Sequence, residues 1–445
     1  MTAPVRVTGV TADGWSAYDD AVPTTQGLAD VVDRARDLRA MRPPAPGAGL
    51  ASVRDLVVVV SSSRGGSSLF GELLRRTPGL LALRAEINPL YTLAGLHAGT
   101  ERRAVLEAEL LRDIGRPLGP GPLDETERPR LAADLAWRLV VQWPEVAAQR
   151  TTGELLDVAH RSLPGGDVAF DRSTTMRTAV DLLRREGLPV DLRYYDLPVE
   201  RRDGRPSAPD GPPGPALVEM PPFVSVDRWR VATAEELETR PVVLSTPRLS
   251  YRLDHIRELF PSARMRVIHL TRNPAASVNG LIDGWRHHGF YNCEVPVELE
   301  IAGYSDRTAG GRSWWCYDVP PGWEGWVRAP LPRVCAFQWC SSHRAAMEAT
   351  SRLGLDVLRL PFEAVSGAPA ERAAVLAELA GWLGLGGGAL GRRVRDELPV
   401  MMATEPPRPR RWAKRSPRLG AVLQTLEVRE LAEELGYEAD PGRWR

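Results

Sequence analysis

Leu56-Val57-Val58-Val59-Val60-Ser61-Ser62-Ser63-Arg64-Gly65-Gly66-Ser67-Ser68-Leu69-Phe70 is an apolar, largely β-branched run that passes through a loop of small residues into a helical pattern. A run of this kind marks a strand buried on both faces of a parallel sheet, where no polar alternation is needed. The glycines and serines that follow let the backbone curl until successive N–H groups converge on one point. A helix opening near Ser67 adds unsatisfied N-terminal amides and the positive end of its dipole, and Arg64 adds a forked cation. The stretch predicts an α/β fold with an anion-binding loop suited to phosphate.

The order of residues in the loop narrows the ligand. A triphosphate-binding loop reads G-x-x-x-x-G-K-(S/T), its lysine reaching the β- and γ-phosphates and its hydroxyl holding magnesium. This chain has no such G-K-(S/T), and its cation precedes the glycines. Arg64-Gly65-Gly66-Ser67-Ser68-Leu69 instead resembles the 5′-phosphosulfate loop of sulfotransferases, R-S-G-(S/T)-(S/T)-L. Further on, Phe260-Pro261-Ser262-Ala263-Arg264-Met265-Arg266-Val267-Ile268-His269-Leu270-Thr271-Arg272-Asn273-Pro274 is similar to that family's stretch F-P-x-A-(K/R)-x-I-x-(L/V)-x-R-(D/N)-P. Glu363-Ala364-Val365 and Trp382-Leu383-Gly384-Leu385 resemble its E-x-(L/V) step and F-L-G-L helix end. The resemblance covers 56–90, 241–285 and 355–445.

It implies a P-loop-type parallel β-sheet flanked by helices, with insertions at about 95–240 and 286–333 forming an acceptor-side lid. It also implies 3′-phosphoadenosine 5′-phosphosulfate (PAPS) as sulfonate donor, with adenosine 3′,5′-bisphosphate as the product and no metal. Arg64 and Gly65, Gly66, Ser67, Ser68 and Leu69 then hold the phosphosulfate, Arg64 also neutralising the leaving phosphate. Arg272 holds the 3′-phosphate. An arginine at the carboxyl end of a parallel strand also lies where open α/β sheets bind ligands, and it can grip a dianion bidentately.

For the base, the family pattern points to Glu86 in Arg84-Ala85-Glu86-Ile87-Asn88-Pro89, as in tyrosylprotein sulfotransferases. The competing reading is a glutamate that caps an amide or pairs with Arg84. His97, His255, His269, His287, His288 and His343 are rival bases, with His269 read as a core residue. Two positions depart from the family. Its second 3′-phosphate donor, a serine, falls on Gly280, leaving Ser277 or Asn279 for that role. Its lysine after the second strand falls on Ser245, with Arg248 as the substitute cation. The late segment Arg410-Arg411-Trp412-Ala413-Lys414-Arg415 resembles the family's basic, tryptophan-containing loop, which places Trp412 and Lys414 over the nucleotide; otherwise it is a solvated turn.

Of 57 basic residues in the 445, only Lys414 is lysine. Formal net charge is zero, so nothing predicts nucleic-acid binding or attraction to an anionic membrane. No run approaches the ~20 apolar residues of a membrane helix. Met1–Asp20 lacks the apolar core of a signal peptide, and Cys293, Cys316, Cys335 and Cys340 lack metal-site or disulfide spacing; a cytoplasmic protein is expected.

Residues 1–50 read as an extension with a helix over 28–41 and the Pro-rich linker 42–47, and 51–445 as one α/β domain. Within it, strands are expected at 191–197, 241–245, 267–270 and 355–363, and helices at 251–260, 371–383 and 419–435, with helical pattern through 101–150 and an exposed loop at 201–216. Aromatics from Trp285 to Trp339 suggest a lid or pocket for an aromatic or lipophilic acceptor, or a loop packing its own tryptophans on the core. The function expected is sulfonate transfer to a hydroxyl or amine of a small molecule, a secondary metabolite. The alternatives are a P-loop kinase or nucleoside-phosphate transferase, and a noncatalytic nucleotide-binding relative.

Overall fold

The computed structural model describes residues 26–94, 100–195, 219, 223–287, 292–308, 310–386, 389–390, 398, 400–438, 440 and 444. The quoted run forms β1 (Asp55–Val60), the middle one of the five parallel strands. Around it lie β2 (Leu81–Ala82), β3 (Gly115–Pro117), β4 (Trp229–Val231), β5 (Val242–Ser245), β6 (Arg264–Thr271) and β9 (Asp356–Pro361), in the order β4-β3-β2-β5-β1-β6-β9. β7 (Asn292–Glu294) and β8 (Trp314–Cys316) pair separately. β2, β5, β1, β6 and β9 are parallel, with Val58 opposite Leu244 on one side and Val267 on the other. β3 and β4 extend the sheet antiparallel.

Every residue from Leu56 to Val60 is fully buried because the two faces of β1 enter different cores. Leu56, Val58 and Val60 pack with Leu38 and Leu135, whereas Val57 and Val59 pack with Phe70, Leu376 and Leu379. Successive side chains point to opposite faces of a strand, so one apolar run fastens both helical layers. The helix Gln26–Ala40 belongs to the first layer. Its Arg39 is buried against Glu109 (2.6 Å) and Asp113 (3.1 Å).

Several elements differ from the sequence expectation. Residues 191–195 form no strand: Asp191 accepts a hydrogen bond from Arg193 N (2.9 Å) and starts a 3-10 turn, Leu192–Tyr194, an instance of a short acidic side chain outcompeting ladder pairing. The terminal helix divides into Ser416–Leu423 and Leu426–Glu434 where Thr425 folds its hydroxyl onto Val422 O (2.8 Å). The 101–150 pattern is three helices, Thr100–Asp113, Glu127–Gln142 and Pro144–Gln149, with β3 between the first two. The helix expected over 251–260 is present as Leu253–Leu259, entered through a 3-10 turn, Pro247–Tyr251. Met1–Asp20 and the 201–216 loop lie outside the described residues.

The aromatic-rich stretch packs mainly on itself. Trp285, Tyr304, Trp315, Tyr317 and Trp339 share a third core with the two terminal helices, and Trp285 meets Tyr304 and Trp315 edge-to-face at 4.7 and 5.1 Å. Tyr317 and the adjoining Asp318 reach the central cavity. Among the described residues, no helix is long and apolar enough to cross a membrane.

Candidate active site

A cavity of about 880 Å³ lies at the carboxyl ends of the five parallel strands. β1 leads to Ser63, Arg64 and the run from Gly66 to Leu69, β2 to Glu86, β5 to Arg248, β6 to Arg272, and β9 to Phe362 and Glu363. This is the edge at which open α/β sheets bind ligands.

The loop after β1 is built for close approach. Gly65 N donates to Ser62 O (3.0 Å), and a Cβ on Gly65 would stand 2.7 Å from that oxygen. Gly66 is left-handed (φ 100°), and a Cβ there would reach the Phe362 ring at 2.2 Å. The helix Ser67–Arg75 starts immediately after, with Phe70 N donating to Gly66 O (3.1 Å). Gly65 shapes the turn from behind, while Gly66, Ser67, Ser68 and Leu69 line the cavity.

Arg64 is also left-handed (φ 63°). Its Nη1 donates to Met402 O (2.6 Å), and its own carbonyl accepts from Arg272 Nη1 (3.0 Å). The two arginines therefore share one wall. Arg272 stands 5.1 Å from the Phe362 ring centre. Burial, helped by the nearby Arg64 and Arg411 and opposed by Glu363, lowers its guanidinium to about 10. A cation so placed gains from an incoming anion. Glu363 secures the arm, accepting from Asn273 N (2.9 Å) and Nδ2 (2.8 Å) and from Tyr437 OH (3.2 Å). Asn273 in turn caps the helix Pro274–Trp285 by accepting from Ala276 N (2.7 Å).

Ser277 is not brought into the site. Ala276, Asn279 and Gly280 line the cavity at i, i+3 and i+4, so they share a helix face from which Ser277 is turned away. Ser277 is fully buried, its hydroxyl 3.5 Å from Arg272 O. Gly280 leaves room for Arg64: a Cβ there would stand 3.3 Å from the Arg64 Cβ. Lys414 is likewise exposed and outside the lining, whereas Trp412 lines the cavity and is 5% exposed. The segment is fastened by arginines instead. Arg411 and Arg415 both reach Asp283 (2.6 and 2.5 Å), and Arg415 donates to Asn279 Oδ1 (3.0 Å). A forked guanidinium can share two acceptors on one helix face, and Lys414 falls on the outer side of the turn.

Glu86 lines the cavity half-buried, accepting from Asn88 Nδ2 (3.0 Å). Burial raises its carboxyl to about 7, with Arg248 pulling it down and Glu219 pushing it up. Arg84 does not pair with it; the guanidinium is buried against Asp134 (2.5 Å). Arg248, itself buried, supplies the cation of this wall. Ser245 instead faces Gly71 of the loop helix, where a Cβ would stand 2.9 Å from the serine oxygen.

None of the described histidines lines the cavity. His269 and His343 are buried against each other (Nε2···Nδ1 2.8 Å), and His255 lies on the Tyr91 ring. His97 and His288 lie outside the described residues. Among the described residues, no group of three or more His, Cys, Asp or Glu side chains is placed to hold a metal ion.

Asp318, Tyr317, Met402 and Arg411 are lining residues that sequence reasoning missed as individual site residues. No motif marks Asp318, Tyr317 or Met402, and Arg411 falls in the basic segment around Trp412. Two of them carry a conformational signal: the four described non-glycine residues with positive φ are Arg64, Tyr317 (67°), Met402 (53°) and Arg410 (48°), and all four line this cavity. Strained backbone of this kind concentrates at functional sites.

No protein-family model and no curated protein matches this chain. Among solved structures, it is similar to the sulfotransferase domain of the Synechococcus PCC 7002 olefin synthase, at 14% identity over 88% of this chain and 98% of that one, TM-score 0.35. It is also similar to the sulfotransferase STF9 from Mycobacterium avium, at 13% identity over 97% of this chain and 93% of that one, TM-score 0.37.

Proposed function

We propose that this chain transfers the sulfonate of PAPS to a hydroxyl or amine of a small-molecule acceptor. The observation that carries the reading is the meeting of Arg64, Arg272 and Glu86 in one cavity at the carboxyl edge of the sheet. PAPS, when bound, supplies a sulfonate joined to a phosphate, and a second phosphate on the ribose. The site suits both anions. The cradle at Gly66, which a Cβ would fill, and the amides opening the Ser67–Arg75 helix receive the phosphosulfate beside Arg64. Arg272, fixed through Glu363 and Asn273, receives the 3′-phosphate, and Trp412 covers the nucleotide.

In the transfer, the acceptor oxygen forms its bond to sulfur as the bond from sulfur to the phosphate oxygen breaks. Glu86 takes the acceptor's proton, and a carboxyl raised to about 7 is matched to that task near neutral pH. Arg64 and the loop amides neutralise the charge left on the phosphate, an electrostatic contribution that is largest in a site shielded from water. Leu398, Val400 and Met401 give the cavity an apolar wall, which favours an aromatic or lipophilic acceptor such as a secondary metabolite.

The test is to incubate the purified chain with PAPS and, separately, with ATP and magnesium, following thermal shift and the fate of each nucleotide. Stabilisation by PAPS and by adenosine 3′,5′-bisphosphate, lost in Arg64→Ala and Arg272→Ala, is expected. Magnesium-dependent ATP binding with no response to PAPS would favour a kinase and overturn the reading.

A further inference from the structure

We propose that Asp318 is a positioning residue for the phosphate-binding loop: through Ser63 it holds Arg64 in its left-handed conformation, with the guanidinium at the cavity. The inference rests on the donor reading above. Asp318 is 1% exposed and borders the cavity. One carboxylate oxygen accepts from Ser63 Oγ, and the other accepts from Ser342 Oγ (3.1 Å) and Tyr251 OH (3.4 Å). Its backbone carbonyl is also fixed, accepting from Trp315 Nε1 (3.0 Å) and Gln338 Nε2 (2.8 Å). The aromatic core of the insertion thus ends in a rigidly held carboxylate applied to the loop.

Charge makes this placement unexpected. Among the described residues, no ion pair offsets Asp318, and a buried carboxylate beside an anion site opposes the ligand the site is built to take. Coulomb's law alone therefore argues against an acid here, while hydrogen-bond geometry supplies a reason for one. The Ser63–Asp318 bond joins two strained places, with left-handed Arg64 directly after Ser63 and left-handed Tyr317 directly before Asp318. An unfavourable backbone conformation persists only where its surroundings over-determine it, and this bond supplies that restraint on the loop.

The two effects predict opposite signs. Removing the acid as Asp318→Ala tightens anion binding if its charge is what matters, and weakens it if positioning dominates. Calorimetric titration with adenosine 3′,5′-bisphosphate, alongside melting temperature, should show about tenfold weaker binding in Asp318→Ala and in Ser63→Ala. The double variant should lose no more than either single one, since both act through one bond. Asp318→Asn, whose amide oxygen can still accept from Ser63 Oγ, should bind more tightly than Asp318→Ala. Should Asp318→Ala fail to fold, Ser63→Ala carries the comparison.

Unchanged or tighter binding by Asp318→Ala and Ser63→Ala, additive losses, or a lower melting temperature with intact affinity would overturn the positioning role while the wild-type protein still binds. A wild-type protein that binds neither PAPS nor the bisphosphate would overturn the donor reading, and this inference with it.

Discussion

Burial raises the Glu86 carboxyl, Arg248 and Asn88 pull it down and Glu219 pushes it up, and together they leave it at about 7. Replacing it as Glu86→Gln should leave adenosine 3′,5′-bisphosphate affinity unchanged while sulfonate transfer falls ~10²- to 10⁴-fold. In the wild type, log kcat/KM should climb with unit slope as pH rises toward about 7 and then level off, because the ionised carboxylate is the working form. Transfer that survives the substitution would remove Glu86 as the base. Gly280→Ser introduces the serine of the sulfotransferase pattern, yet its Cβ would press on Arg64 at 3.3 Å. Bisphosphate binding should weaken, and a titration showing tighter binding would count against that role for Gly280. Arg64, Arg272 and Glu86 were legible because each sits inside a contiguous strand-loop pattern. Asp318 was not, because its meaning comes from a hydrogen bond to Ser63 across 255 positions. Ser277 looked suitable by spacing, but helix phase decides which way a residue points, and it turns this one inward.

At the scale of elements, β1 and β6 were readable from their apolar runs, and the two short antiparallel strands β3 and β4 were not. Gly115–Pro117 and Trp229–Val231 are too brief for a period-2 signal, and it is their neighbours in the sheet that make them strands. β6 also carries His269, matched with His343 on the helix Leu331–Arg352. Burial lowers His269 to about 3 and moves His343 well below its ordinary value. Unfolded imidazoles titrate near 6.5, so the unfolded chain binds protons first on acidification. The stability associated with both neutral rings is fully present above about 6.5 and drains away as pH falls toward about 3. Urea midpoints between pH 7.5 and 5 should therefore decline, and His343→Phe, with one ring fewer to charge, should show a shallower decline. An unchanged slope would contradict the assignment.

Across the whole molecule, the layer that includes the helix Gln26–Ala40 is held by buried charge as well as by apolar packing. Asp134, on the helix Glu127–Gln142, receives both Arg42 and Arg84, and those cations, against the effect of burial, bring its carboxyl to about 2. Asp134→Ala strands two buried guanidiniums, and removing one member of a buried pair costs about 3–5 kcal/mol. Chemical denaturation should register that loss. A change under 1 kcal/mol would mean that water reaches these arginines. No local pattern announces this network, since Arg42, Arg84 and Asp134 come from three separate segments.

The sheet order also bears on how the chain is made. Roughly 180 residues separate the end of β1 from the start of β5, its first partner in sequence, and β6 follows later still. At about 5–20 residues per second of synthesis, the nascent Leu56–Val60 run waits on the order of ten seconds or more for either neighbour. A β-branched segment without charge or proline is prone to intermolecular pairing during such a delay. The strand that leads into the Ser63–Leu69 loop is thus made long before its neighbours in the sheet, and solubility during production depends on what shields it in that interval.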